Sequence, residues 1–236
     1  MGKFNILQFM KGLKKYVYTI SIVTYLFISC SESKEQHSGS KDHKVYTLIK
    51  DSLHFGKQGK YFVEALKQTD NENSTIQIYF ENKVGDSWNL IDSYSREITE
   101  VLEPNVTFSD YNFDGYNDIS YISDLGMNGS NEIRTVILFK PTENRIKVLD
   151  NSIEYPNLRI NQKKHLLVST IFSGSTQNVF CRINADSLQR IAMLEFDTNL
   201  NFTEYGNGKV TAKKKVSELH CDRFTRFIDY NPIRIE

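Results

Sequence analysis

Short catalytic signatures are missing from this sequence, which has no HExxH, no GxSxG and no CxxC. Their absence leaves no support for a zinc-peptidase centre, a nucleophile elbow or a dithiol redox pair. The histidines at 54, 165 and 220 are scattered and form no ligand pattern. Basic clusters are scarce too. The one run, KKK at 213–215, is short and flanked by Val210 and Val216, so it reads as an exposed strand face. Without a basic patch the chain is a poor partner for nucleic acid. Beyond residue 43 no stretch sustains an apolar stripe of period 3.6, which argues against a helical or α/β domain. Only residues 98–102 hint at a helical turn, and Pro104 ends it.

What is present begins with a leader. Residues 1–29 carry Lys3, Lys11, Lys14 and Lys15, no acid, and the apolar run YVYTISIVTYLFIS at 16–29, short for a bilayer span. The run ends in LFISC, which resembles the lipobox of bacterial lipoproteins, with Phe27 where Leu is usual. The resemblance implies cleavage before Cys30, acylation of that cysteine and anchoring to a membrane. Ser31 in place of Asp resembles the outer-membrane sorting pattern. Loss of the leader leaves 25 basic against 29 acidic groups, a formal −4, on about 207 residues. That length suffices for one sizeable core. Of the three cysteines, Cys181 and Cys221 remain, and an exported protein gives them a chemical route either to a disulfide or to two buried thiols.

The segment 31–43, SESKEQHSGSKDH, has no apolar side chain and reads as a flexible tether after the lipidated cysteine. From residue 44 to 236 aromatic and β-branched residues recur in short alternating runs. Ile76, Ile78 and Phe80 form one, and Ile133, Thr135, Ile137 and Phe139 another. Leu166, Val168, Thr170 and Phe172 make a third, and Ala192, Leu194 and Phe196 a fourth. TDNENS, KVGDS, PTENR, FSGSTQN and YGNGK lie between such runs and carry hairpin chemistry. The expectation is one all-β domain, an antiparallel hairpin meander open to sandwich, barrel or propeller-like closure.

The distinctive stretch is SDYNFDGYNDI at 109–119. Asp110, Asn112, Asp114 and Asp118 occupy loop positions 1, 3, 5 and 9, and Gly115 occupies position 6. Hard divalent cations take oxygen ligands, calcium six to eight of them, and alternate residues of a tight loop can supply carboxylate, amide and backbone oxygens. The Tyr116 carbonyl stands at position 7. An EF-hand requires Glu at position 12, where Tyr121 stands, and strand-like sequence flanks the loop on both sides. The nine-position loop of a β-hairpin fits better. Such loops resemble those of FG-GAP propeller blades.

Together with SDLGMNGSNEIRTVILFKPTENRIKVLDNSIEYPNLRIN, the loop resembles a family of exported bacterial calcium-binding proteins of β-propeller-like fold. That family includes a periplasmic inhibitor of a peptidoglycan-cleaving effector. The resemblance covers residues 105–172. It implies a propeller-like scaffold, calcium held by Asp110, Asn112, Asp114, Tyr116 and Asp118, and no catalysis. For some members it also implies inhibition of a lysozyme-like cell-wall hydrolase, although no motif here carries an inhibitory residue. The leading expectation is a non-enzymatic, lipid-anchored envelope binding protein. The alternatives are a carbohydrate-binding or adhesive module, with Trp88 as a stacking residue, and a glycan-processing hydrolase. The loop GMNGSN at 126–131 lacks the Lys and spacing of a phosphate loop and reads as a hairpin tip able to meet a partner.

Overall fold

The computed structural model describes residues 43–70, 73–99, 102–217 and 219–236. The leader at 1–29, Cys30 and all but the last residue of the tether lie outside them. His43, assigned to the tether, instead opens the first strand.

The meander is present as three sheets and a ribbon. The first sheet has β1 (His43–Asp51), β2 (Tyr61–Asp70), β3 (Asn73–Val84) and β4 (Ser87–Ile98) in that order. The second has β5 (Thr107–Ser109), β6 (Asp118–Gly126), β7 (Asn131–Lys140) and β8 (Arg145–Val148). The third is six-stranded, from β9 (Arg159–Asn161) through β10 (Leu166–Ser173), β11 (Ser175–Asn184), β12 (Ser187–Phe196) and β13 (Leu200–Gly206) to β14 (Lys209–Val216). The ribbon is β15 (Phe227–Tyr230) with β16 (Ile233–Ile235). Sequential strands pair antiparallel within each sheet, and the turn-rich segments fall at hairpin ends. Of the helical hint at 98–102, residues 100 and 101 lie outside the described residues, and the Leu102 N–H donates to the Thr99 carbonyl at 3.0 Å.

Three apolar clusters hold the sheets in a stack. The first joins Val63, Ile76, Ile78 and Phe80 of the first sheet to Ile119, Ile137 and Phe139 of the second. The second joins Val136 and Leu138 to Leu167, Val179 and Cys181 of the third sheet. The third packs Phe180, Leu194 and Phe202 against Phe227 of the ribbon, with Tyr230 and Cys221 beside it. Strand β7 therefore buries both faces. Residues 136–139 are fully inaccessible, with alternate side chains entering different clusters. Such a strand reads as a continuous apolar run, here VILF, as strands covered on both sides do. Only the sheets at the two ends of the stack differ. The outer face of the first is solvated, and β14 at the edge of the third is exposed along almost its whole length.

Cys181 and Cys221 are free thiols. Val179 and Cys181 face the second cluster while Phe180, between them, faces the third, on which Cys221 packs. A bridge between Cys181 and Cys221 would have to cross the sheet, so the disulfide alternative is not realised.

Candidate functional site

Loop 110–117 connects β5 to β6 at one end of the second sheet. Its turn depends on Gly115, whose φ of +89° is cheap only without a Cβ. The acids fold back on the loop's own amides. Asp110 accepts the Asp114 N–H at 3.1 Å and the Gly115 N–H at 2.9 Å. Asn112 Oδ1 accepts the Asp114 N–H at 3.0 Å, and Asp114 Oδ1 accepts the Tyr116 N–H at 2.9 Å. The Asn112 amide also donates to Asp114 Oδ2 at 2.9 Å.

Asp118 lies beneath them, fully buried. Its Oδ1 accepts the Phe139 N–H and its Oδ2 the Tyr111 N–H, both at 2.8 Å. One carboxylate thus ties β6, β7 and the start of the loop together. Burial pushes this carboxyl up to about 7. The two amides oppose that shift, while the nearby Asp114 and Asp110 charges add to it. Three acids are therefore in electrostatic reach of one another.

Aromatic residues between the acids hold the loop on both sides. The Tyr116 ring meets Phe139 of the first cluster at 5.8 Å between centroids. Phe113 stacks on His165, in the turn between β9 and β10 of the third sheet, at 5.0 Å. Tyr111 enters the second cluster and its hydroxyl bonds Ser120 Oγ at 2.9 Å. Burial raises the Tyr111 pKa from its ordinary value. Interleaved aromatics in DYNFDGYND were the available signal for this anchoring.

Other supports have no local signature. Arg134 is buried on the Val136 face of β7. It donates from Nε to Glu132 at 2.8 Å and from its terminal nitrogens to the Asn105 carbonyl, Thr107 and Ser120. Asp51 Oδ1 accepts the amides of Leu53, His54 and Phe55, and Oδ2 meets His54 Nδ1 at 2.7 Å. Burial raises its pKa, but the hydrogen bonds from His54 and these amides prevail and hold it below the ordinary carboxylate value. The segment so capped is fixed to the loop by the Asn117 amide, which donates to the His54 carbonyl at 2.8 Å.

Among the described residues no three His, Cys, Asp or Glu side chains converge as a metal cluster. The chemistry of the donor set nevertheless suits a hard cation. It consists wholly of oxygens, three of its residues are acids, and a carboxylate that accepts two N–H bonds keeps lone pairs free.

Trp88 lies in the β3–β4 hairpin, 37% exposed, with its ring 5.6 Å from Phe62 and Lys83 Nζ 5.9 Å from its centroid.

No family model matches the chain, and no curated protein matches it. Among solved structures it is similar to a Xanthomonas type IV secretion system related protein. The two are 14% identical with a TM-score of 0.48, over 76% of this chain and 95% of the other. An overlap that loose carries no activity across.

Proposed function

We propose that this chain is a non-enzymatic, lipid-anchored envelope protein that binds another envelope macromolecule and holds one structural calcium ion at loop 110–117. The observation that carries the reading is Asp118. It sits buried under Asp110 and Asp114 and is bonded to two strands, so the acids brace the scaffold. Asp110, Asn112, Asp114, Asp118 and the Tyr116 carbonyl would hold the ion, which supplies charge neutralisation for the three acids. The chain's own residues supply the rest. The amides of Phe139 and Tyr111 orient Asp118, and the rings of Tyr116 and Phe113 fix the loop against Phe139 and His165.

Calcium should raise the melting temperature relative to EDTA. Binding at a hundredfold excess over Kd stabilises by about 2.7 kcal/mol. For a domain of this size that is roughly 5–10 °C. Asp114→Ala should remove the calcium-dependent rise. Equal melting in calcium and EDTA for the wild-type chain would sink the metal assignment. For the partner, the full chain in mild detergent is used to capture envelope components, a cell-wall hydrolase being tested first by loss of its turnover on stoichiometric addition. A second reading, a glycan-binding module, has the partly exposed Trp88–Phe62 pair in its favour. It requires the tryptophan fluorescence to change on titration with cell-wall sugars.

A further inference from the structure

A cleft of about 640 Å³ opens at the other end of β6 from loop 110–117, about 25 Å away at ~3.3 Å per strand residue. Its walls are the β6–β7 turn, the β10–β11 turn and the segment leading into β15. These three are locked together. Asn131 donates to the Phe172 carbonyl at 2.9 Å and accepts the Phe172 N–H at 3.0 Å. Asn157 donates to the carbonyls of Ser130 and Thr170 at 3.0 and 2.8 Å. Asn178 accepts the Phe227 N–H at 3.2 Å, and Thr176 Oγ1 donates to the Arg223 carbonyl.

The lining is cationic at one wall. Arg223 and Arg226 both border the cleft, and among the described residues neither guanidinium is paired with a carboxylate. The Arg223 guanidinium lies 4.9 Å over the Phe224 ring. The one acid in the lining, Glu132, is already engaged by Arg134 Nε at 2.8 Å. Beside the arginines the rim is apolar, with Phe224 67% and Met127 55% exposed. Ser130, Ser173 and Ser175 add hydroxyls.

We propose that this cleft is a recognition site for an acidic peptide segment. A carboxylate side chain is held by Arg223 and Arg226, and a neighbouring apolar side chain packs on Phe224 and Met127. The inference deepens the binding-protein reading above and rests on it. Charge complementarity selects the anion, because two unpaired guanidiniums face one neutralised acid. The apolar rim selects a peptide over a polyanionic glycan, which carries no side chain to cover Phe224 and Met127.

The test uses the full chain in detergent and a short fluorescein-labelled peptide that alternates Glu with Phe. A Lys/Phe counterpart and polygalacturonate serve as the other arms. Expected are saturable binding of the acidic peptide only, weakening toward about 0.5 M salt, and a loss of about tenfold or more in Arg223→Glu/Arg226→Glu. Phe224→Ala, a change at an exposed ring, should also weaken binding while leaving the melting temperature unaltered. Equal affinity of the charge-reversed and wild-type chains, no binding of the acidic peptide, or binding of polygalacturonate in its place overturns the proposal. Envelope capture separates this failure from that of the parent reading. A partner retained by both wild-type and charge-reversed chains overturns the cleft and leaves the binding role standing. A wild-type chain that captures no partner and binds no peptide overturns both.

Discussion

Asp118 carries two structural duties in a single side chain, because its two oxygens close two buried backbone donors on different elements. Asp118→Ala leaves the Phe139 and Tyr111 N–H groups without acceptors. An unsatisfied buried donor costs about 1–3 kcal/mol, so the loss of two should be roughly 2–6 kcal/mol in chemical denaturation. Titration adds a sign. The folded-state pKa, near 7, lies above the ordinary carboxylate value, so the folded chain binds this proton more tightly than the unfolded one. In EDTA the associated stability is full below about pH 4 and is lost as pH rises through about 7. The proposed calcium ion would require the ionised form, so stabilisation by calcium should grow over the same interval. Melting curves against pH in the two buffers check both slopes. Cys181 offers a second residue-scale expectation. Burial pushes its thiol up to about 12, so it should resist DTNB at neutral pH until the chain unfolds. Reducing agent should not shift the melting temperature, since no disulfide links it to Cys221.

At the scale of the element, β7 and the segment before β2 show where sequence reasoning reaches and where it stops. Phe139→Ala should cost about 3–5 kcal/mol, because the ring fills the first cluster against Phe55, Tyr61 and Phe80. Gly56→Ala should be nearly as harmful, at about 2–4 kcal/mol. Its φ is +57°, and an added Cβ would stand 2.8 Å from the Tyr61 ring and 3.2 Å from Phe139. Denaturant midpoints at unchanged m-value would establish both. The strands were legible because Ile76, Ile78 and Phe80 alternate with polar residues, and the hairpins because Gly, Asn and Asp punctuate them. The two-faced burial of β7 is signalled only by the run VILF at 136–139, which a period-two reading passes over. Period-two reasoning credited Ile133, Thr135, Ile137 and Phe139 with one face, and the opposite face carries Arg134, Val136 and Leu138 in an equally buried layer. The acids of loop 110–117 were legible from spacing alone. Their partners were not, since Phe139, His165 and the segment around Asp51 reach the loop through tertiary packing that local pattern does not encode.

For the molecule as a whole, stacking makes each sheet a layer whose stability depends on its neighbours. The second sheet, clothed on both faces, should be the last to exchange its amide hydrogens, and β14 among the first. Strand β14 has a further consequence. It ends the six-stranded sheet with one backbone edge to which no described strand adds, an arrangement that invites another chain to extend the sheet. Lys213, Lys214 and Lys215 occupy that edge in succession, exposed, with Lys214 Nζ 5.2 Å from the centroid of the Phe202 ring. Two copies meeting there would bring like charges into register. Repulsion between the two rows of lysines would oppose such edge-to-edge pairing, so the feature that marks this strand as poor in apolar side chains also keeps its open edge from recruiting a second copy.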